Sequence, residues 1–426
     1  MLTHNISQKQ RLRIYQYLAF AIALITVSSV NVSSTLQVGN TFMWWTVYFF
    51  TIIILVKARK FFYNPASVDK RVVVLRIYLL WNIICIIRGL GVADNYWEWK
   101  NLVGTSAVLM FPLTVNISTN ADLLKKIIRF WVRYVLPGFF LFLPFIYSGD
   151  GGMGYYLAPL TMLLLFLPVL TKRWKYVLLL YALFVIWGNL DSRSNVLKFS
   201  AAILFSLFYY VQKWVKRGLL KFFRIVLLIA PLVFFALAVT GLFNVFDLDE
   251  YYGERYTNER IGGETVQVSL TVDTRTVLYK EVIGSAIKYD YWLFGRTPAR
   301  GNESETFGMF ALEELNTGKM ERFVNEVSIL NIFTWTGLVG VLLYFLIFFQ
   351  ASYLAVFKSN NIHLKIIGVY IAFRWCYAWV QDFNNFDLSN FFLWFMIGMC
   401  FSKVFRDMSD REMKDWVLQI FNFRRS

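Results

Sequence analysis

The sequence predicts an all-α polytopic membrane protein with about twelve transmembrane helices and one large extracytoplasmic loop. Three observations lead there. Of 426 residues, 58% are hydrophobic and only 16% charged, against roughly 25% charged in an ordinary soluble domain. Apolar runs of about 20 residues, the length that crosses roughly 30 Å of hydrocarbon, recur along most of the chain. Basic clusters occupy alternate connections between those runs, as expected for cytoplasmic loops.

In chain order the expected spans are 14–32, 40–57, 72–92, 101–119, 129–147, 154–171, 174–190, 194–212, 219–243, 326–350, 363–381 and 388–405. The first run, LAFAIALITVSSVNVSS, lacks an AxA-like processing site and reads as a retained span. Pro112, Pro137, Pro168 and Pro231 fall inside spans. Membrane helices tolerate such breaks when neighbours take up the freed backbone groups.

With the N-terminus inside, the net charge of +16 is a +23 inner side offset by −7 elsewhere, and the inner segments include KARK (57–60), KRW (172–174) and KWVKRGLLKFFR (213–224). If those connections are cytoplasmic, both termini are cytoplasmic as well. The basic runs then serve as anchors against anionic lipid, and nucleic-acid binding is not required. The chain divides into residues 1–243 with nine spans, an extracytoplasmic cap at 244–325, three spans at 326–405 and a cytoplasmic tail at 406–426.

The cap begins with the acidic NVFDLDEYYGERYTNER, followed by a strand-like TVQVSLTV at 265–272. A helix is expected near 275–291, where Leu278, Val282 and Ala286 recur every four residues. Asn302 and Glu305 fit a capping box that would open a second helix over 303–316. The cap's aromatic and apolar content argues for a folded unit. GDGGMG (149–154) reads as a flexible outer turn.

Several chemistries are excluded or disfavoured. Cys85, Cys376 and Cys400 lie in apolar runs and read as buried small hydrophobes. His4 and His363 are the only histidines, and neither falls on the outer side, which excludes histidine base catalysis and histidine-ligated zinc there. No phosphate-binding glycine motif stands in a strand–helix context. Asp247 and Asp249 form a DxD that could hold a divalent cation but reads as solvated charge in an acidic linker, and no cofactor is expected.

The informative residues are charges at the outer mouth, where topology gives arginine no anchoring role. Asp191 and Arg193 sit two residues apart in GNLDSRSNVL, between the seventh and eighth spans. Arg88 ends the third span, Arg374 lies within the eleventh, and Glu326 opens the tenth. Arg275, Arg296 and Arg300 belong to the cap. An arginine near mid-membrane costs about 2.5–3.5 kcal/mol on insertion scales. Guanidinium forks match phosphate oxygens, so such a cluster beside an apolar channel suits a lipid phosphate or diphosphate. A nearby carboxylate, Glu326 or Asp191, is placed to take a proton from a hydroxyl nucleophile. The arginines would then stabilise charge growing on the leaving group.

Taken together, Ser192-Arg193-Ser194 between two spans, Arg275 in DTRTVLYKEVIGSAI, YWLFG ending at Gly295, and EVSILNIFTWTGLVGVLLYF with Leu330, Gly337 and Gly340 resemble the bacterial O-antigen ligase and polymerase family. The motif resemblance covers about 190–350, and the topology matches over the whole chain. It implies a GT-C-like helical glycosyltransferase of the bacterial inner membrane, inverting and metal-independent. Its partner would be an undecaprenyl-diphosphate-linked oligosaccharide at the outer face, with membrane lipid and other polysaccharide-assembly proteins alongside. Arg193, Arg275, Arg374, Arg88 and Arg296 would then bind diphosphate, with Glu326 as base or acceptor-orienting group and Asp191 and Asn325 in support. Glu326 stands where the ligases carry histidine, and Arg296-Thr297-Pro298 replaces the loop segment's second glycine. The substitution at Glu326 favours a repeat-unit polymerase for O-antigen, capsule or exopolysaccharide over a ligase that transfers glycan to lipid A core. A transporter or flippase for a lipid-linked solute is the rival from another class.

Overall fold

The computed structural model describes residues 2–31, 33–146, 151–188, 193–211, 218–246, 256–261, 264–269 and 274–423. They form an all-α bundle, 76% helical. The helices are α1 (Leu2–Asn31), α2 (Thr41–Phe62), α3 (Val73–Leu90), α4 (Tyr96–Leu109), α5 (Ala121–Phe145), α6 (Lys172–Gly188), α7 (Arg193–Ser206), α8 (Gly218–Val239), α9 (Thr274–Lys288), α10 (Ser328–Lys358), α11 (Ile362–Tyr377), α12 (Leu388–Phe401) and α13 (Asp410–Phe421). Among the described residues, eight helical segments are long and apolar enough to cross a membrane. The outward faces of α2, α3, α5 and α8 expose large apolar side chains, among them Phe42, Leu80, Leu141 and Leu232. A water-soluble protein does not present such a continuous apolar perimeter, and this is the surface of a membrane protein.

The connections gather at two ends. At the first, Thr35 N–H donates to the Phe145 carbonyl at 2.8 Å, Asn195 to the Gly151 carbonyl at 2.9 Å, and Ser28 Oγ to the Phe386 carbonyl at 3.0 Å. At the second, Asp69 N–H donates to the Phe401 carbonyl at 2.9 Å and Trp416 Nε1 to the Ala121 carbonyl at 2.9 Å. Residues 274–325 lie at the first end, the cap end, and α13 at the second, the tail end.

All fourteen residues of α12 are buried, as is most of α11. A helix of that length spans only about 21 Å, which suffices because α12 meets protein on every side. Its N-terminus at the cap end is fixed by Asp387, whose carboxylate accepts from Asn390 N–H at 2.8 Å.

Residues 154–171 do not form the single spanning helix expected from their hydropathy. They run as two five-residue helical pieces, Gly152–Tyr156 and Leu160–Leu164, and a 3-10 turn, Leu167–Val169. Pro159 and Pro168 lack the N–H that would continue a helix. Broken backbone at membrane depth survives only where protein covers it, and almost every residue from 156 to 170 is buried. In α5, a π turn at Trp131–Val135 precedes Pro137, and the hydroxyl of Tyr156 donates to the Val135 carbonyl at 2.7 Å.

The cap carries a hairpin of β1 (Tyr256–Ile261) and β2 (Glu264–Ser269), antiparallel with Tyr256 opposite Ser269. The helix expected near 275–291 is α9. The helix expected over 303–316 is absent, and so is its capping box. Asn302 instead belongs to β3 (Asn302–Glu303), paired with β4 (Glu321–Arg322), and 303–316 holds only a five-residue π turn at Phe310–Glu314. Gly301 explains part of this, since a Cβ there would stand 2.1 Å from the Arg322 carbonyl. Local spacing matched a cap, but the backbone is committed to a strand partner twenty residues away.

Candidate functional site

The cap meets the bundle at a break in α10. Gly337 has φ 68°, and the helix opens there. The freed Leu338 N–H donates to the Trp292 carbonyl at 3.0 Å, while Arg296 N–H donates to the Thr334 carbonyl at 2.7 Å. Gly295, at φ 73°, lies against this break, and a Cβ on it would stand 2.5 Å from the Gly337 nitrogen. The two glycines of the sequence motifs therefore touch back to back, because only residues without side chains let the two backbones meet.

This junction also consumes two expected diphosphate ligands. Arg88 donates to the carbonyls of Phe294 and Gly295 at 2.7 and 3.1 Å. Arg296 pairs with buried Glu321 at 3.0 Å and donates to the Gly301 carbonyl at 2.8 Å. Arg88 therefore holds the cap to the bundle, and the Arg296 side chain holds the cap to itself. Arg300 joins Glu321 and approaches Glu98 at 3.7 Å. Asn325 does similar work: its Nδ2 donates to Asn302 Oδ1 at 2.9 Å, and its carbonyl accepts from Asn331 at 2.8 Å.

Arg275 and Glu326 do come together, as an ion pair at the cap rim. Arg322 holds the second Glu326 oxygen at 3.3 Å, and Arg275 Nε donates to the Val380 carbonyl at 3.2 Å. Both oxygens of Glu326 thus accept from guanidinium groups. Asp191 lies outside the described residues, as do Asp247 and Asp249. Arg193 is described only by its backbone, as the first residue of α7.

Arg374 lies elsewhere, 2% exposed inside the bundle. Its guanidinium sits 4.2 Å over the Phe383 ring and donates to Ser389 Oγ at 3.4 Å, and its Nε has no hydrogen-bond partner among the described residues. Lys198 of α7, 4% exposed, faces the same region with its ammonium 5.3 Å from the Tyr155 ring centroid. Among the described residues neither cation has a carboxylate within 4.0 Å. The Asp387 carboxyl interacts electrostatically with both. Burial pushes the Asp387 carboxyl above its ordinary value, against the Asn390 N–H and Lys198, which lower it. Asp382 follows Val380 by two residues. It accepts from Ser328 Oγ at 3.1 Å and Asn384 N–H at 3.0 Å, and burial raises its carboxyl too.

Asp387 lines a cavity of about 500 Å³ at the cap end, together with Tyr155, Asn385, Tyr48 and the serines of α1. Ser28 and Ser29 fix the turn before α12, with Ser29 Oγ accepting from Leu388 N–H at 2.9 Å. A buried charge without an ion-pair partner costs several kcal/mol. Lys198 and Arg374 are not among the residues lining this cavity; they lie behind Asp387, and two such cations behind one carboxylate leave a surplus of positive charge that suits a multiply charged anion.

Sequence reasoning missed Lys198 and the turn QDFNNFD (381–387). Both carried the signal used for Arg374: Lys198 interrupts the apolar VLKFSAAILF near its outer end, and two aspartates sit in a short connection between apolar runs. Among the described residues, no group of His, Cys, Asp and Glu is arranged to hold a metal ion. Comparison with protein-family models, with curated proteins and with solved structures finds no match to this chain.

Proposed function

We propose that the protein is a membrane glycosyltransferase that extends glycans carried on a lipid diphosphate, with its cap end facing away from the cytoplasm. The supporting observation is the pair of buried cations, Lys198 and Arg374, without a carboxylate within 4.0 Å among the described residues and both acting on Asp387, which lines a cavity of about 500 Å³ within an apolar bundle. A diphosphate supplies the negative charge those cations lack, and an apolar perimeter suits its prenyl chain. The family resemblance points the same way and names undecaprenyl diphosphate as carrier.

In this reading the bond from the donor sugar's anomeric carbon to the diphosphate oxygen breaks. The electron pair leaves with the diphosphate, where Lys198 and Arg374 stabilise it. An acceptor hydroxyl forms the new glycosidic bond and passes its proton to a carboxylate. Asp387, one oxygen held by Asn390 and the residue itself lining the cavity, is the proton acceptor. Glu326, braced by Arg275 and Arg322, orients the acceptor from the rim. Arg193 joins the diphosphate from the start of α7.

The test is incubation of the purified protein with a lipid-diphosphate-linked repeat, which should yield a ladder of longer products. Lys198→Met, Arg374→Met and Arg193→Ala should each remove the ladder, by more than about 100-fold, with membrane levels retained. Replacing a buried unpaired charge by an apolar side chain of similar length is commonly neutral or stabilising, so a folded, inactive protein is expected. A persistent ladder in the Lys198 and Arg374 variants would remove the anion site from the reaction.

The broken segment at 152–170 favours one second reading. Discontinuous helices near buried charges also serve transporters. Movement of the lipid-linked repeat across proteoliposomes without any longer product would favour that reading.

A further inference from the structure

A second cleft, of about 320 Å³, opens beside the first cavity. It lies between α2, α4 and α10, with Phe323 and Val324 of the cap on one side. Tyr48, Asn385 and Phe386 line both spaces, so the two adjoin. The Tyr48 and Phe386 rings stand 4.4 Å apart between them.

The second cleft differs in chemistry from the first. Half-buried Trp97 lines it, with the ammonium of Lys100 4.7 Å from its ring, and the amides of Asn101 and Asn385 lie nearby. Trp335 also lines it, and its buried indole N–H has no partner among the described residues. Flat aromatic surfaces take the C–H faces of pyranose rings, while amides and indole N–H groups take their hydroxyls.

Gly104 adds an independent observation. It sits inside α4, where glycine weakens a helix relative to alanine. A Cβ placed there would meet no atom within 4 Å, so packing does not require glycine. What a side chain at Gly104 would occupy is the cleft itself.

We propose that this cleft is the saccharide subsite, holding the sugars next to the diphosphate while the lipid diphosphate occupies the adjoining cavity. This rests on the diphosphate reading given above. The experiment measures binding of two probes to the purified protein in nanodiscs: the lipid-diphosphate-linked repeat and undecaprenyl diphosphate without sugar. Wild type should bind the sugar-bearing lipid at least tenfold more tightly. Gly104→Leu should lose that tenfold gain, keep wild-type affinity for the sugar-free lipid, and melt no lower than wild type. Trp97→Ala should behave likewise, and Trp97→Phe should retain the gain. Equal affinity of wild type for both probes would overturn the subsite and leave the anion site standing. So would wild-type behaviour of Gly104→Leu, or its equal loss of both lipids, which would give the cleft to the prenyl chain. If wild type retains neither lipid, the diphosphate reading falls and takes the subsite with it.

Discussion

At the scale of single residues, burial decides what each charge does. Arg88, Arg296 and Arg374 are alike in sequence as arginines on the outer side that anchoring does not explain. Arg88 ends on two carbonyls and Arg296 on Glu321, so both are neutralised or saturated by the fold. Arg374 meets one hydroxyl and an aromatic face, leaving its charge available. The Asp387 carboxyl, raised by burial, holds its proton at pH values where the unfolded chain has lost it. Its stabilising contribution is therefore complete below the unfolded carboxyl's pKa and is lost as pH rises through the folded one. Asp387→Asn keeps the helix cap and removes this penalty. The variant should be more stable than wild type at pH 8, by on the order of 1 kcal/mol or more, and the gain should vanish near pH 3. Thermal melts across that range check it, and a constant gain at every pH would show that the carboxyl does not titrate in this window.

At the scale of elements, the junction between cap and α10 is the feature that most constrains the molecule. A helix opened at one glycine exposes backbone groups that must find partners, and residues 292–296 supply them. Gly337→Ala and Gly295→Ala would each force a side chain into the left-handed region, at about 1–3 kcal/mol. Each would also place a methyl within 2.5 Å of opposing backbone. Both should lower the melting temperature and expose the cap to protease. Gly340→Ala, where φ is not positive and the obstacle is Oγ1 of Thr336 at 1.8 Å, is the comparison that crowds a side chain without straining the backbone. If all three variants melt together with wild type, the break at Gly337 does not hold the cap.

At the scale of the whole molecule, the described connections collect at two ends, and the cap and the tail helix occupy opposite ones. Exposed Glu313 marks the cap end and exposed Lys414 the tail end. With Cys85, Cys376 and Cys400 replaced, a cysteine at Glu313 should react in intact cells with a maleimide that cannot cross membranes. A cysteine at Lys414 should react only after permeabilisation. The opposite pattern would put the proposed site on the cytoplasmic side, where a lipid-linked glycan facing outward could not reach it.

Composition and the alternation of basic loops were enough to establish a helical membrane protein, because hydropathy is a property of each segment wherever it packs. The same local signals misread residues 154–171 and 303–316. In the first, an apolar run hid two prolines that only surrounding helices can accommodate. In the second, a capping pattern was overridden by strand pairing with residues 321–322. The sequence by itself determined the class, the apolar perimeter and the presence of charges in places that anchoring does not explain. Tertiary structure alone decided which of those charges remain available. Whether a guanidinium is spent on a carbonyl or left without a carboxylate depends on partners hundreds of residues distant, as the Arg88 contact with residues 294–295 illustrates.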